Sequence, residues 1–415
     1  MGYGQALSGL DASAQALDVI GNNIANSATT GFKTARAEFA DVYANSLWGS
    51  SSTAVGIGTK VAAIAPIFTQ GNITTTGNPL DIAINGQGFF REVSNGVTTY
   101  SRDGQFSLNA TGDIVNSSGA QLTGYPAGPN NTIASTPPQP LTLSTAPVPP
   151  SASSTANFTL NLPGNATSPT GTFSPTNPTT YNSSTSMSLY DSLGNAHTLT
   201  MYFVKGSGTT PTWNVYGTVD GTALASQLGS MTFNSSGALS GVNSGTATGS
   251  TNPAGTMSLS FTPTNGSNPV NVAVSFPSST QYGVPFAVSS NIQNGYTTGQ
   301  LAGFSIGSDG TIIGNYTNGQ TVAQGQIALA NFTNPQGLSA LSNNQFAETS
   351  ASGAPVVGAP GSGSLGTLQS GALEQSTVDL TTELVNMISA QRAYQGNAEM
   401  IKTEDQVQQT LMTLR

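Results

Sequence analysis

Cysteine is absent from the 415 residues, histidine occurs once, and Lys plus Arg number 9 against 18 Asp plus Glu. Without cysteine there is no disulfide, no thiolate nucleophile and no Cys-based zinc site. A single histidine, His197, cannot build a multi-histidine metal centre. So few cations over this length do not supply the clustered positive charge that nucleic acid or anionic lipid requires. No apolar run approaches the roughly 20 residues of a spanning helix, so no membrane insertion is expected. Met1 to Ile20 has neither a basic start nor an unbroken apolar core, and no cleaved secretory signal is read there.

Charged residues make up 7 % of the chain, against about 25 % in ordinary soluble proteins. Its polar surface therefore comes from Ser, Thr, Asn, Gln and Gly. A net charge of -9 is too dilute over this length to drive disorder. With 49 Gly and 23 Pro, the composition points to a turn-rich, mainly β protein of two or three folded units.

The two ends differ from the middle. Leu7, Leu10, Ala14, Leu17, Gly21 and Ile24 recur at spacings of three and four, a narrow helical stripe of the coiled-coil kind. Asn22, Asn23 and Asn26 lower helix propensity, and Gly31 offers a left-handed position where the helix can stop. At the other end, Leu380, Leu384, Met387, Gln391, Tyr394, Ala398, Ile401, Asp405, Gln408 and Met412 form a second stripe. The spacing predicts a helix from Val378 to Leu414, with Ser376 and Asp379 at capping-box separation. Two helices alone bury each stripe on one side only. Ordering them is then not repaid in a single copy, and both ends are predicted to become rigid only when many copies pack.

Between the ends, short runs of β-formers alternate with turn dipeptides: Asp103-Gly104, Asp309-Gly310 and Asn318-Gly319 are read as tight hairpins. Met187 and Leu189, then Leu199, Met201 and Phe203, point to one face of a strand pair around "DSLGN". Pro-, Ser- and Thr-rich stretches near 134–181, 278–290 and 350–366 mark boundaries. The reading is α+β, mainly β: terminal α-helices that form a coiled-coil layer on assembly, and two β-sandwich or barrel-like domains, one inserted in the other. Residues 1–30 with 372–415 form the helical part, 31–70 with 361–371 a connecting segment, 71–145 with 285–360 a β domain, and 146–284 the inserted β domain.

Chemical motifs are weak. His197 shares strand parity with Leu199, Met201 and Phe203, which favours a structural position. A Ser-His-Asp set with Asp191 is formally available, yet no G-x-S-x-G elbow surrounds any serine. Asp113, Asp191, Asp220, Asp309 and Glu348 are scattered, whereas a glycan-acting enzyme needs paired acids in a cleft. "GIGTK" at Gly56 lacks full phosphate-loop spacing, and "GQGFF" lacks the dinucleotide fingerprint; there Gly86 and Gly88 suit a bend with Phe89 or Phe90 entering the core. No catalytic residue, cofactor or metal ligand is assigned.

The termini carry the informative pattern. "SGLDASAQALDVIGNNIANSATTGFK" and "ELVNMISAQRAYQGNAEMIKTEDQVQQTLMTLR" resemble the N- and C-terminal signatures of the bacterial flagellar rod and hook axial family. "LDIAINGQGFFREVSNGVTTYSRDGQFSLNATGDIVNSSGAQLTGYP" is similar to that family's first β-domain motif, and "IGSDGTIIGNYTNGQTVAQGQIALANFTNPQGL" is a weaker match. The long inserted middle favours the family's hook branch over its shorter distal rod branch, which stays the alternative. A secreted glycan-acting enzyme or an adhesin is the alternative from a different class.

The resemblance implies a self-assembling structural subunit of a curved, flexible tube that transmits torque from rod to filament, with no enzymatic activity. It implies self-assembly through Leu7, Leu10, Leu17, Ile24, Leu380, Leu384, Met387, Tyr394, Ile401 and Met412. Its implied partners are further copies of the chain, the distal rod protein, the hook cap protein, the hook-filament junction protein and the flagellar type III export apparatus. The implied location is the extracellular hook, reached without a cleaved signal peptide. Phe39 and Tyr43 of "FADVY" match the pair that the export gate reads in this family.

Overall fold

The computed structural model describes residues 2–42, 56–128, 131–134, 136–208, 210–224, 226–245 and 255–413. The chain is mainly β with a helix at each end: α1 is Gly2–Ala25 and α2 is Leu380–Thr413. It divides into two compact units. One comprises Met1–Thr145, Gly303–Asn315 and Thr321–Arg415; the other, the inserted unit, comprises Ala146–Ala302 and Tyr316–Gln320.

In the first unit α1 leads into a long antiparallel hairpin, β1 (Ala35–Val42) and β2 (Gly58–Pro66), which packs on α1. The helices are connected to the β region by β3 (Ile73–Thr75), which pairs with Ala372–Glu374, and by β4 (Ile82–Asn85), which pairs with Thr367–Ser370. The chain is therefore strand up to Glu374, five residues short of α2. Residues 372–374, expected in the helical part, belong to the β framework because Leu373 and Glu374 are buried in it.

β5 (Phe89–Ser94) and β6 (Val97–Ser101) sit inside the large antiparallel sheet. Phe89 packs edge-to-face on Phe68 at 5.3 Å, and Phe90 on Phe106 at 5.2 Å. Consecutive strand residues face opposite sides, so both phenylalanines enter core rather than one. Among the described residues no sheet closes into a barrel.

In the inserted unit a six-stranded and a five-stranded sheet share one apolar core. Leu189, Leu199, Met201 and Phe203 are fully buried there with Phe158, Trp213 and Phe276, as the alternation predicts. The strand Ala287–Gln293 pairs with Thr155–Pro163, so this unit extends to Ala302 and not to 284. The Pro-containing stretch before that strand is a turn within the unit, not its exit.

The hairpin turns follow a rule missed in the sequence. In Asn109–Asp113, Asn116–Ala120, Asp191–Asn195 and Asn234–Ala238, the first residue's Oδ1 accepts the backbone N–H groups two and four residues on. The fourth residue is Gly at φ +81 to +85. One side-chain oxygen thus satisfies two turn donors that no strand can reach, and N/D-x-x-G is the signal.

Asp309-Gly310 and Asn318-Gly319 end loops of this same length, with only the glycine at positive φ, and are not two-residue turns. The two-residue type with positive φ at both positions is at Asn95-Gly96 and Asp220-Gly221. Asp103-Gly104 is no hairpin. A Cβ on Gly104 would collide with the Ile82 carbonyl, whose amide N–H donates to Gly104 O at 3.0 Å.

Candidate assembly interface

α1 has two apolar faces. Ala6, Ala12, Val19 and Asn23 are buried, and with Gly9, Ser13 and Ala16 they form a face of small side chains toward α2 and the β1–β2 hairpin. Small residues are needed because the helices approach closely: a Cβ at Gly9 would lie 2.8 Å from the Asn397 side chain. The expected stripe of Leu7, Leu10, Leu17 and Ile24 lies roughly 130° round the helix. Leu7 is 44 % exposed and the other three are half-buried. Within its own chain the helix therefore buries the small-residue face and covers the stripe only in part.

On α2 the side toward α1 carries Met387, Ala390, Asn397 and Ile401, all half-buried, with Glu383 buried in the first turn. Leu380, Leu384, Tyr394 and Met412 are exposed, as are Val385, Ile388, Met400, Val407 and Leu411. Its cap is Asp379 and not Ser376: Asp379 Oδ1 accepts from Thr381 N at 2.9 Å and Thr382 N at 3.2 Å. Those donors hold the Asp379 carboxyl below its usual range. α1 and α2 pair within a single copy, where the sequence predicted order only on assembly. The hairpin supplies cover for α1 that a two-helix estimate omits.

A buried charge cluster anchors both helices to the β region. Glu374, just upstream of α2, accepts from Lys33 Nζ at 2.6 Å, Gly71 N at 2.7 Å and Arg102 Nη1 at 3.1 Å. The side chains of all three charged residues are at most 4 % exposed. Lys33 also donates to Thr69 O, and Arg102 to Gly86 O, while its guanidinium lies 5.5 Å from the Phe89 ring centroid. Burial lowers the Lys33 and Arg102 pKa values from their ordinary ones, and the Glu374 carboxylate offsets part of that.

Around this cluster, Gly31 N donates to Glu374 O, and Gly31 (φ +65) leaves no room for a Cβ against the Arg102 backbone. Gly31 thus serves this close crossing, past the helix end at Ala25. Thr34 N donates to Thr377 Oγ1 at 2.9 Å. Asn23 acts as a strand surrogate: its amide donates to Ala35 O at 2.8 Å and accepts from Ala35 N at 3.0 Å. Sequence reasoning took Asn23 as a helix breaker. Its place on the Ala6–Ala12–Val19 face was the available clue.

Comparisons with known proteins agree along the whole chain. Residues 5–33 match the family model "Flagella basal body rod protein", 83–170 "Flagellar hook protein FlgE/F/G D1 domain", 161–296 "Flagellar basal body protein FlaE D2 domain" and 369–414 "Flagellar basal body rod FlgEFG protein C-terminal". The flagellar hook protein FlgE of Escherichia coli is 43 % identical and that of Salmonella typhimurium 45 %, each over 100 % of both chains. That of Borreliella burgdorferi is 31 % identical over 99 % of this chain and 98 % of its own.

The chain belongs to the flagellar hook protein family.

A crystal structure of Helicobacter pylori flagellar hook protein FlgE2 shares the fold, with TM-score 0.53 and 14 % identity, covering 73 % of this chain and 100 % of that one. In this hook-family chain Phe39 stands on β1, 51 % exposed, beside a groove of about 410 Å³ lined by Gly9, Ala12, Ala16, Ala390, Ala393 and Asn397. Tyr43 lies outside the described residues. Asp191 does lie beside His197, but the other ring nitrogen faces Asp220 and not a serine. Neither nitrogen is free to take a proton from a hydroxyl, so the constellation is no triad. No described helix is long and apolar enough to cross a membrane.

Proposed function

We propose that the chain is the structural subunit of the flagellar hook, assembling helically into a flexible curved tube that passes torque from rod to filament. The observation that carries this reading is the division of labour on the terminal helices. On α1 small residues make the contact inside one copy, and on the two helices the large apolar residues Leu7, Leu384, Val385, Ile388 and Leu411 face solvent. Large apolar side chains left exposed on both helices suit an interface with a further molecule. Because they lie on both helices, further copies of the chain are their natural cover, with Leu10, Leu17, Ile24, Leu380, Tyr394 and Met412 contributing at the margins, while Met387 and Ile401 back the surface from the side toward α1.

The neighbours at the ends of such a tube are the distal rod protein, the hook cap protein and the hook-filament junction protein. Export passes unfolded through the flagellar type III apparatus, with Phe39 and Tyr43 as the gate-recognition pair. The function is mechanical, without catalysis. The deciding experiment is electron microscopy of a strain lacking this chain. Intact rods that lack hooks are the expected result; truncated rods would assign the chain to the rod instead. Purified full-length protein should in addition form tubular polymers, which truncation of either terminal helix abolishes.

A further inference from the structure

The sole histidine of the chain sits between two carboxylates in the inserted unit. His197 Nδ1 is 2.7 Å from Asp220 Oδ2, and Nε2 is 3.4 Å from Asp191 Oδ2. A neutral imidazole offers one N–H and one lone pair. Whichever tautomer it took, a lone pair would face a carboxylate. Only the doubly protonated ring satisfies both sides. The ring is also enclosed: its side chain is 13 % exposed and the Phe261 ring packs against it at 5.3 Å.

The two acids are held differently. Asp191 is fully buried, and its oxygens accept from Leu193 N, Asn195 N, Asn195 Nδ2 and Asn265 Nδ2 as well as facing the histidine. Asp220 is 52 % exposed in its side chain and occupies the first position of the Asp220-Gly221 turn at φ +50. Its Oδ1 accepts from Thr198 N at 2.8 Å, and its other oxygen faces His197.

The elements joined are far apart in sequence. His197 is the second residue of the strand Ala196–Lys205 of the six-stranded sheet, and Asp220 directly follows the neighbouring strand Thr212–Val219. Asn265 lies in the loop between Met257–Phe261 and Val270–Ser275 of the five-stranded sheet. That loop is also held to the Asp191 turn by Asn268 N donating to Ser192 Oγ at 3.0 Å.

We propose that His197 is a proton-controlled staple across this end of the inserted unit, closed when the imidazole carries two protons and open when it carries one. In the open state Asp191 keeps its amide and backbone donors and stays in place. Asp220 then faces a neutral ring instead of a cation, and with a half-exposed side chain held by one backbone donor, Thr198 N, the Asp220-Gly221 turn is the element released. Among the described residues Asp191 and Asp220 are the charged groups facing the ring; the Asn195 and Asn265 amides and the Phe261 ring complete its surroundings.

The direction follows from the competing effects. Burial pushes the imidazole pKa down, and the hydrogen bonds and charges of Asp220 and Asp191 outweigh it, so the net move is above the ordinary 6.5. A base raised in the folded state contributes stability that is complete below its unfolded pKa and is lost as pH rises through the folded one. The staple thus closes as pH falls and opens as pH rises through a midpoint above the ordinary imidazole value.

Because there is one histidine, labelling histidine Cε1 with ¹³C in the full-length chain gives a single signal to titrate. The expected midpoint lies above 6.5, and Asp220→Asn lowers it by about one unit or more. Over the same pH range the Thr198 amide should lose hydrogen-exchange protection while the Leu193 and Asn195 amides keep theirs. A wild-type midpoint at or below 6.5, an unmoved midpoint in Asp220→Asn, or equal loss of protection at all three amides overturns the proposal. The wild-type titration decides even where the variant fails to fold.

Discussion

Replacing Glu374 with alanine tests whether the buried cluster holds the terminal segments to the β framework. The carboxylate is fully buried and serves three donors from three different segments: Lys33, Gly71 and Arg102. Alanine leaves two buried cations without their anion and one amide without its acceptor. Breaking a buried pair from one side costs about 3–5 kcal/mol, because the desolvation of the stranded charge is no longer offset. For a unit of this size that lowers the melting temperature by roughly 10 °C.

Arg36→Ala is the internal control. Arg36 pairs with Glu38 at 2.8 Å, a separation close to that of Lys33 and Glu374, but both side chains are largely exposed. Solvent screening reduces such a pair to well under about 1 kcal/mol. Calorimetry on the full chain should therefore show a lowered transition for Glu374→Ala and an unmoved one for Arg36→Ala. The lost stability should partly return toward alkaline pH, since Lys33 can shed its proton while Arg102 stays charged. Limited proteolysis should then cut the Asn26–Thr34 segment first. Equal, small shifts for the two variants would refute the reasoning, because burial would then not be what gives the Glu374 cluster its strength.

Three further outcomes are expected. Glu92 is fully buried, its Oε2 accepts from Asn116 and Gln345, and burial raises its pKa from 4.5 to about 7. The folded state then binds the extra proton in that window, so stability falls by on the order of 3 kcal/mol as pH rises from 4.5 to 7. Glu92→Gln should remove that slope in melting temperature, and parallel slopes would exclude the assignment. Leu384→Asp with Ile388→Asp should leave monomer melting within about 0.5 kcal/mol, since both residues are exposed, yet stop tube formation in sedimentation; Ala12→Leu, on the buried face, should instead lower monomer stability by about 1–3 kcal/mol. Gly119→Ala should cost roughly 1–2 kcal/mol from backbone strain alone, because Gly119 has φ +82 and open space around it; urea titration reads the difference, and no change would mean the turn relaxes freely.

Much of this architecture is legible in one dimension because it is periodic. Helical spacing at the two ends, alternation in Met187, Leu189, Leu199, Met201 and Phe203, and the scarcity of charge determined a mainly β chain with helical termini. The signatures at the ends and in the first β segment point to the axial proteins on residue order alone. Periodicity tells which residues share a face. It does not tell what covers that face, since cover comes from segments hundreds of residues away.

Only the tertiary structure decided that α1 buries its small residues in its own chain and leaves the leucine stripe only partly covered. The same holds for Asn23, read as a helix breaker and found bridging to Ala35, and for Asp379, found capping in place of Ser376. The inserted unit extends past 284 because a strand pairs across more than a hundred residues. Lys33, Arg102 and Glu374, like His197, Asp191 and Asp220, are isolated letters in the sequence. Charges act through distance and solvent exclusion, and neither exists until the chain has folded.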